Sequence, residues 1–213
     1  MPEKMESFKT CAGEGEAEFV ERKSRFIGYL SHVTSEEEAR DYIDMIREMH
    51  PEANHHVWCY VFKGGAVVRS SDDGEPSGTA GRPVAEVILR EGLTDVVCVV
   101  VRYFGGILLG AGGLIRAYAT GARIAVEAAG VAEMLPMQVF RVTLPYHFHG
   151  KVTSRLERDG FTPESPDFGE KVSFSLTTAP EERERIETLL RDLTAGDVRF
   201  DDLGTRFMPV RKK

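Results

Sequence analysis

The sequence predicts an α+β protein of two domains, in which an N-terminal α/β domain precedes a smaller domain with the element order βαββαβ. Strand-like alternation of apolar and polar residues takes turns with helical periodicity along the chain. The composition changes at residues 131–138, and 213 residues are enough for two small domains. Apolar residues make up 42% and charged residues 29% of the chain, which excludes an intrinsically disordered protein.

The clearest element of the N-terminal half is a helix with three glutamates in its first turn, one apolar face and a proline directly after it. Either Thr34 or Ser35 is expected to cap it. The predicted elements are a strand at 17–33 interrupted near 23–24, this helix at 35–50, hairpin strands at 55–62 and 66–70 around a turn at 63–65, a short helix at 83–92, an all-apolar strand at 96–103 of the type buried on both faces, and a helix at 114–130.

The C-terminal half contains two predicted helices among four strands. Pro180 and the two glutamates after it are typical of a helix start. The predicted elements are a strand at 140–146, a helix at 147–158, strands at 161–167 and 171–178, a helix at 180–193 and a strand at 198–208. This order is that of a ferredoxin-like half-sandwich.

These patterns divide the chain into five segments. They are an N-terminal tail at 1–16, the first domain at 17–132, a linker at 133–138, the ferredoxin-like domain at 139–208 and a basic tail at 209–213.

Composition also restricts the location and the partners. No uninterrupted apolar run is longer than the one at 96–101, which is far shorter than the ~20 residues of a membrane-spanning helix, and the charged N-terminus lacks the apolar segment of a signal peptide. Three scattered cysteines without a CxxC pair suit a reducing compartment. The sequence therefore predicts a cytoplasmic protein with no membrane contact. A net charge of −7 means that any binding of nucleic acid must depend on a local basic patch.

A glycine-rich loop after the all-apolar strand is the strongest indication of a binding site. Gly105, Gly106, Gly110, Gly112 and Gly113 occupy five of nine positions. Such density indicates backbone angles or close approaches that a side chain would prevent. The loop leads into a helix N-terminus, where free N–H groups favour an anion.

Arg102 precedes this loop and Arg116 lies in the first turn of the predicted helix, so their guanidinium groups could flank a phosphate. The alternative is tight packing of the helix on the sheet, with both arginines serving the fold. The Walker pattern GxxxxGK[ST] is absent and GxGxxG does not occur in its usual place, so no nucleotide cofactor is predicted.

The second candidate segment is the polar loop at 70–83, for which the residue types allow two interpretations. Asp72, Asp73 and Glu75 are weak candidates for Mg²⁺ ligands, because no further ligand stands out elsewhere in the chain. Ser77, Thr79 and Arg82 could contact phosphate oxygens. The favoured alternative is turn chemistry, since Asp-Asp-Gly and Glu-Pro-Ser-Gly are strong turn sequences. No metal site is therefore predicted.

The strand at 55–62 carries aromatic residues and two histidines. Alternation places His55 and His56 on opposite faces, so they cannot form a paired metal site. Trp58, Tyr60 and Phe62 share the face of His56. We expect this aromatic stripe to be core, and the alternative is an exposed platform on which bases stack.

Two long motifs resemble the IMPACT/YigZ family: GEPSGTAGRP at 74–83 and VVVRYFGGILLGAGGLIRAYATGA at 99–122, supported by KSRFIGYL at 23–30. The resemblance implies a first domain that is a two-layer α/β sandwich of the ribosomal-protein type, similar to domain IV of elongation factor G. It implies a ferredoxin-like second domain, similar to the C-terminal domain of that factor. The sequence departs from the family at 55–60, where His-Asn-Cys-Trp-Ala-Tyr is common and positions 56, 57 and 59 differ.

The resemblance further implies a link to translational control. Eukaryotic members keep a stress-response kinase from activation by competing for its activator, but they carry an additional N-terminal domain with no counterpart in this sequence. Kinase regulation is therefore not expected to transfer.

The sequence thus predicts a translation-linked regulator that binds RNA or a ribosome-associated protein, rather than an enzyme. The predicted phosphate contacts are Arg82, Arg102, Arg116, Ser77, Thr79 and the five glycines of the loop. Two alternatives stay open: an enzyme that acts on a phosphorylated small molecule in the same cleft, and a protein-interaction adaptor with no ligand.

Overall fold

The computed structural model describes residues 7–209, which divide into two compact units. The N-terminal unit spans Phe8–Met134 and the C-terminal unit Leu135–Met208. The elements in chain order are β1 (Phe8–Cys11), β2 (Gly15–Glu21), β3 (Ser24–His32), α1 (Glu36–Met49), β4 (His55–Phe62), β5 (Val67–Ser71), α2 (Gly81–Arg90), β6 (Val96–Tyr103), α3 (Ala111–Ala129), β7 (Val131–Leu144), α4 (Tyr146–Arg158), β8 (Glu164–Phe168), β9 (Val172–Thr178), α5 (Pro180–Leu193) and β10 (Arg199–Pro209).

The sheet of the N-terminal unit has the strand order β2-β3-β6-β4-β5, and all its pairs are antiparallel. The central strand β6 is buried along almost its whole length, as predicted. Its side chains alternate, so that one set packs in a cluster with α2 and α3 and the other set in a cluster with α1. Helices therefore cover both faces of this sheet. Helix α1 adds a layer to the predicted two-layer sandwich.

Both residues that the sequence offers as a cap take part in the start of helix α1. The Ser35 side chain accepts a hydrogen bond from the backbone N–H of Glu38, while Thr34 donates its N–H and its hydroxyl to the Glu38 carboxylate. The two residues divide the capping function between them. Tyr60 and Phe62 are buried in the cluster against α1, as predicted for the aromatic face of β4, whereas Trp58 is only partly buried against this cluster.

Helix α3 lies unusually close to the sheet. A Cβ atom added at Gly28 of β3 would lie 2.1 Å from the backbone oxygen of Gly121, and one added at Gly121 would lie 2.7 Å from Val100 of β6. Two glycines that face each other thus allow the backbones of α3 and β3 to touch. Gly121 lies near the middle of α3, so this contact sets how closely the helix packs on the sheet.

The C-terminal unit has the predicted order βαββαβ. Strands β8-β9-β7 form an antiparallel sheet, β10 pairs with β7, and the resulting order β8-β9-β7-β10 is the ferredoxin-like one. Helices α4 and α5 cover one face through a single apolar cluster that includes Phe140, Phe174 and Leu190.

Three predicted segments need correction. The proposed tail at 1–16 contains β1 and the start of β2, and the proposed linker at 133–138 lies within β7. Residues 131–134 of β7 pair with β1 more than a hundred positions earlier, a pairing that local composition cannot indicate. Of the basic tail at 209–213, Pro209 ends β10 and residues 210–213 lie outside the described residues. No helix between residues 7 and 209 is long and apolar enough to cross a bilayer.

Gly28→Ala should destabilise the N-terminal unit by about 2–4 kcal/mol, because its Cβ would collide with the backbone of α3. Trp58, the single tryptophan of the chain, reports urea unfolding of this unit. Gly13→Ala is the matched control, since a Cβ at Gly13 meets nothing within 4 Å. An equal, small shift for both variants would contradict the close contact.

The division into two domains predicts that a chain of residues 1–134 folds by itself. Both core clusters of the N-terminal unit lie wholly inside this range. We expect a cooperative urea transition, followed by Trp58 fluorescence, with a midpoint near that of the full chain. A gradual loss of signal without a transition would contradict the division.

Candidate functional site

A pocket of about 420 Å³ lies where β6 ends and where β4 and α3 begin. We call it the α3 pocket. Its walls come from the ends of both strands, the loop that precedes α2 and the glycine-rich loop that precedes α3. The lining residues are Asn54, His55, Glu75, Pro76, Arg102, Phe104, Leu108, Leu109, Gly110, Ala111 and Leu114.

A buried ion pair forms one wall of the α3 pocket. Arg102 Nη1 donates to Glu75 Oε1 over 2.6 Å, and the two side chains are only 6% and 5% exposed. Arg102 follows six buried residues on the otherwise apolar strand β6, so alternation turns it toward α3 and the core. A charge in that position requires a buried partner, and Glu75 of the polar loop provides it.

Tyr118 of α3 completes the pair by donating its hydroxyl to the same Glu75 oxygen over 2.7 Å. Burial raises the pKa of Tyr118 far above its ordinary value, and the hydrogen bond to Glu75 raises it further. The phenol therefore stays protonated and keeps donating. One carboxylate oxygen thus ties β6, the loop before α2 and helix α3 together.

Three further side chains hold the guanidinium of Arg102 in place. It lies 5.4 Å from the ring centroids of both Phe26 and Phe104, and its Nη2 reaches Ser24 Oγ at 3.4 Å. Its Nε is buried and has no hydrogen-bond partner among the described residues. The Nε–H donor of this cation is therefore unused by the fold.

His55 lies directly opposite Arg102 in the register of β4 and β6. Its Nδ1 is 2.8 Å from the backbone oxygen of Asp73. A carbonyl oxygen can only accept, so Nδ1 is the donor in this contact. Nε2 is 3.7 Å from Glu75 Oε1.

The glycine-rich loop is positioned by two side chains from neighbouring elements. Asn54 Oδ1 accepts the N–H of Phe104 at 2.7 Å, and Ser24 Oγ accepts the N–H of Gly105 at 3.2 Å. A Cβ at Gly105 would lie 2.0 Å from the backbone carbon of Lys23, so only glycine permits this approach. Gly106 is exposed at the turn of the loop.

Helix α2 begins at a carboxylate. Asp72 Oδ1 accepts the backbone N–H groups of Ala80 and Gly81 at 3.0 and 2.8 Å, and Oδ2 accepts that of Gly78 at 2.8 Å. Partial burial would raise the pKa of Asp72, but the three N–H donors outweigh it and hold the pKa below its ordinary value. An anion from this chain therefore occupies the N-terminus of α2.

Helix α3 begins differently, because no side chain caps it. Gly110 is the N-cap with φ of 70°, a left-handed backbone that favours glycine, and its carbonyl accepts the N–H of Leu114. Ala111, Gly112 and Gly113 form the first turn, whose N–H groups have no partner within the helix. Gly110 and Ala111 line the α3 pocket, so this helix end faces it.

The remaining predicted phosphate contacts are not in the α3 pocket. Arg82 is exposed on α2 and pairs with Glu86 at 2.8 Å, Ser77 is exposed, and Thr79 donates to the backbone oxygen of Pro76 at 2.6 Å. Arg116 is exposed and has no hydrogen bond or ion pair among residues 7–209, but it lines a neighbouring pocket of about 250 Å³. The structure therefore does not place Arg102 and Arg116 side by side in one pocket.

The weak metal candidates are held by other groups. Asp72 accepts three backbone N–H groups, Asp73 Oδ2 accepts the N–H of His56 at 2.6 Å, and Glu75 is paired with Arg102. Within residues 7–209, no three His, Cys, Asp or Glu side chains come together as a cation site.

Sequence reasoning missed the parts played by Glu75, Tyr118 and Ser24. The lone charged residue on the buried face of β6 was the one available indication, because it requires a counter-charge. Which carboxylate supplies that charge depends on how the loop at 70–83 folds back, and local pattern does not determine this.

Each of the two units matches a known protein domain. Residues 22–126 match the Impact N-terminal domain, and residues 142–197 match a domain of unknown function. The IMPACT family member YvyE of Bacillus subtilis is 38% identical over 193 residues, which cover 90% of this chain and 89% of that protein. The chain belongs to the IMPACT family.

Other relatives cover less of the chain. The IMPACT family member YigZ of Escherichia coli is 40% identical over 59% of this chain and 63% of its own length. The protein IMPACT homolog of Saccharomyces cerevisiae is 32% identical over 43% of this chain and 37% of its own length. A crystal structure of a hypothetical protein matches with a TM-score of 0.62 at 30% identity, over 92% of this chain and 97% of that one.

Glu75→Gln should destabilise the N-terminal unit by about 3–5 kcal/mol, since it leaves Arg102 buried without a counter-charge. Arg102→Met should destabilise the unit by a similar amount, because it leaves the Glu75 carboxylate buried without a positive charge. The double variant should lose about 2–3 kcal/mol less than the sum of the two, measured by urea unfolding with Trp58 fluorescence. Additive losses would mean that the two charges do not depend on each other.

Proposed function

We propose that this chain is a cytoplasmic, translation-linked regulatory protein that binds RNA through a phosphate at the N-terminus of α3. Membership of the IMPACT family supports the link to translation, and three cysteines, all free and buried, suit a reducing compartment. The site itself supports the choice of ligand.

The contrast between α2 and α3 carries the proposal. The two helices pack against each other on the same face of the sheet. The N-terminus of α2 holds the carboxylate of Asp72, whereas the 19-residue helix α3 presents the open first turn of a longer dipole to a pocket. An external anion can accept the free N–H groups at the start of α3, as Asp72 accepts those at the start of α2. A phosphate is the usual anion at such a helix end.

The other walls of the α3 pocket suit a nucleotide rather than a bare phosphate. Phe104 is half-exposed beside Arg102, and Leu108 is 81% exposed at the edge of the loop. A base can stack on an aromatic ring or pack on apolar side chains while its phosphate is at the helix end. Arg102 itself is paired with Glu75, so it positions the pocket and leaves the phosphate to the helix end.

His55 favours one second candidate, an enzyme that acts on a phosphorylated small molecule. His55 lines the α3 pocket and its Nδ1 is oriented by a backbone carbonyl, so Nε2 is the ring nitrogen that would act as a general base. Such an enzyme would bind one metabolite with little dependence on salt. RNA bound through its phosphates loses affinity steeply as salt rises.

Gly112→Asp should lower RNA affinity at least about tenfold without loss of stability. A carboxylate in the first turn of α3 is favourable to the helix dipole and would occupy the position of the phosphate. Gly112 has an ordinary φ, and its added Cβ would meet only Arg116 Nη1 at 3.6 Å. The measurement is fluorescence anisotropy of a labelled single-stranded RNA of about 12 nucleotides at low salt.

Gly112→Ala is the matched control and should keep wild-type affinity, because it adds no charge. Equal binding by the Asp and Ala variants would exclude α3 as the phosphate site. Salt-independent binding of a single metabolite by the unaltered protein would support the enzyme.

A further inference from the structure

We propose that the ligand is a phosphodiester strand whose next phosphate lies in the neighbouring pocket, between Arg116 and the β2–β3 turn. This inference rests on the proposed function, because it takes the first phosphate to be at the N-terminus of α3. It specifies a single strand with at least two phosphates, and not a mononucleotide.

The two pockets are neighbours on either side of Leu109 in the glycine-rich loop. Leu109 lines both of them, and the first turn of α3 contributes Ala111 to the α3 pocket and Gly113 to its neighbour. A ligand bound at the open helix end can therefore reach either side of Leu109. A single phosphate fills only one of these positions.

Arg116 reaches back along α3 toward this junction. Its Nη1 lies 3.6 Å from the position of a Cβ at Gly112, one turn closer to the helix N-terminus than its own Cα. The guanidinium has no carboxylate partner within residues 7–209. This cation is available to a ligand, in contrast to Arg82, which also lies on the first turn of a helix but pairs with Glu86.

The opposite side of the neighbouring pocket is the turn between β2 and β3. Arg22 and Lys23 occupy its two central positions with φ of 45° and 67°, a left-handed pair for which Asn-Gly is the favourable sequence. Both side chains are exposed, and Arg22 lines the pocket. Two cationic residues thus occupy turn positions whose left-handed backbone angles are unfavourable for them.

Glu21 is the one acidic residue that lines this pocket, and it neutralises Arg22 only weakly. Glu21 is 4.0 Å from Arg22, and both side chains are more than half exposed. Such a pair is worth little in water and is screened by salt. Thr120 adds a hydroxyl to the lining, so the pocket offers two guanidinium groups and a neutral donor to a phosphate.

Arg116→Gln should lower the affinity for a single-stranded oligonucleotide about tenfold and leave that for a mononucleotide unchanged. The slope of log affinity against log salt should fall by about 0.7 for the lost phosphate contact. Arg82→Gln removes the same charge outside both pockets and should change neither ligand. Matched RNA and DNA strands tell whether the sugar matters.

The double variant Arg22→Asn, Lys23→Gly provides a second test with an opposite effect on the fold. It should raise Tm by roughly 2–4 °C, because the turn relaxes, and weaken oligonucleotide binding about tenfold. Unchanged oligonucleotide affinity in this variant and in Arg116→Gln would overturn the two-phosphate strand while leaving the α3 site intact. Absence of binding by either ligand to the unaltered protein would overturn the proposed function itself.

Discussion

The ion pair between Arg102 and Glu75 is the interaction on which the N-terminal unit depends. It neutralises the only charge on the buried face of β6, draws the loop before α2 over the sheet, and accepts the hydroxyl of Tyr118 from α3. Since both charges are buried, removal of either residue leaves the other charge without a partner in an apolar environment. The pair therefore sets the positions of three elements whose ends form the α3 pocket.

The glycines in the loop before α3 and at the contact of α3 with the sheet have two separate physical roles. At Gly28, Gly105 and Gly121, a side chain would collide with a neighbouring backbone or with a core valine, so these residues permit close packing. At Gly112 there is open space, and the absence of a side chain leaves the helix end uncovered. The glycine-rich loop thus contains a close-packing position at Gly105 and an uncovered helix start at Gly112.

The fold could be predicted from the sequence where local pattern is sufficient. The apolar run of β6, the glutamates and proline around α1 and the order of elements in the C-terminal half all indicate their structures directly. Strand β1 could not be predicted, because its four residues are stabilised by pairing with Val131–Met134. The site was predicted in part: the open N-terminus of α3 follows from Gly110, Gly112 and Gly113. The partner of Arg102 depends on long-range packing, which is why Arg102 was assigned to a ligand and not to Glu75.

The strand order of the N-terminal sheet has a consequence for synthesis of the chain. Strand β6 is central in the sheet but emerges after β2, β3, β4 and β5, so the two hairpins have no common neighbour until Tyr103 has been made. Contacts of such long sequence separation form late and slowly. The nascent chain must keep two incomplete hairpins from associating with other strands during this interval. Arg102 is the second-to-last residue of β6, so the α3 pocket is completed only after the sheet has closed.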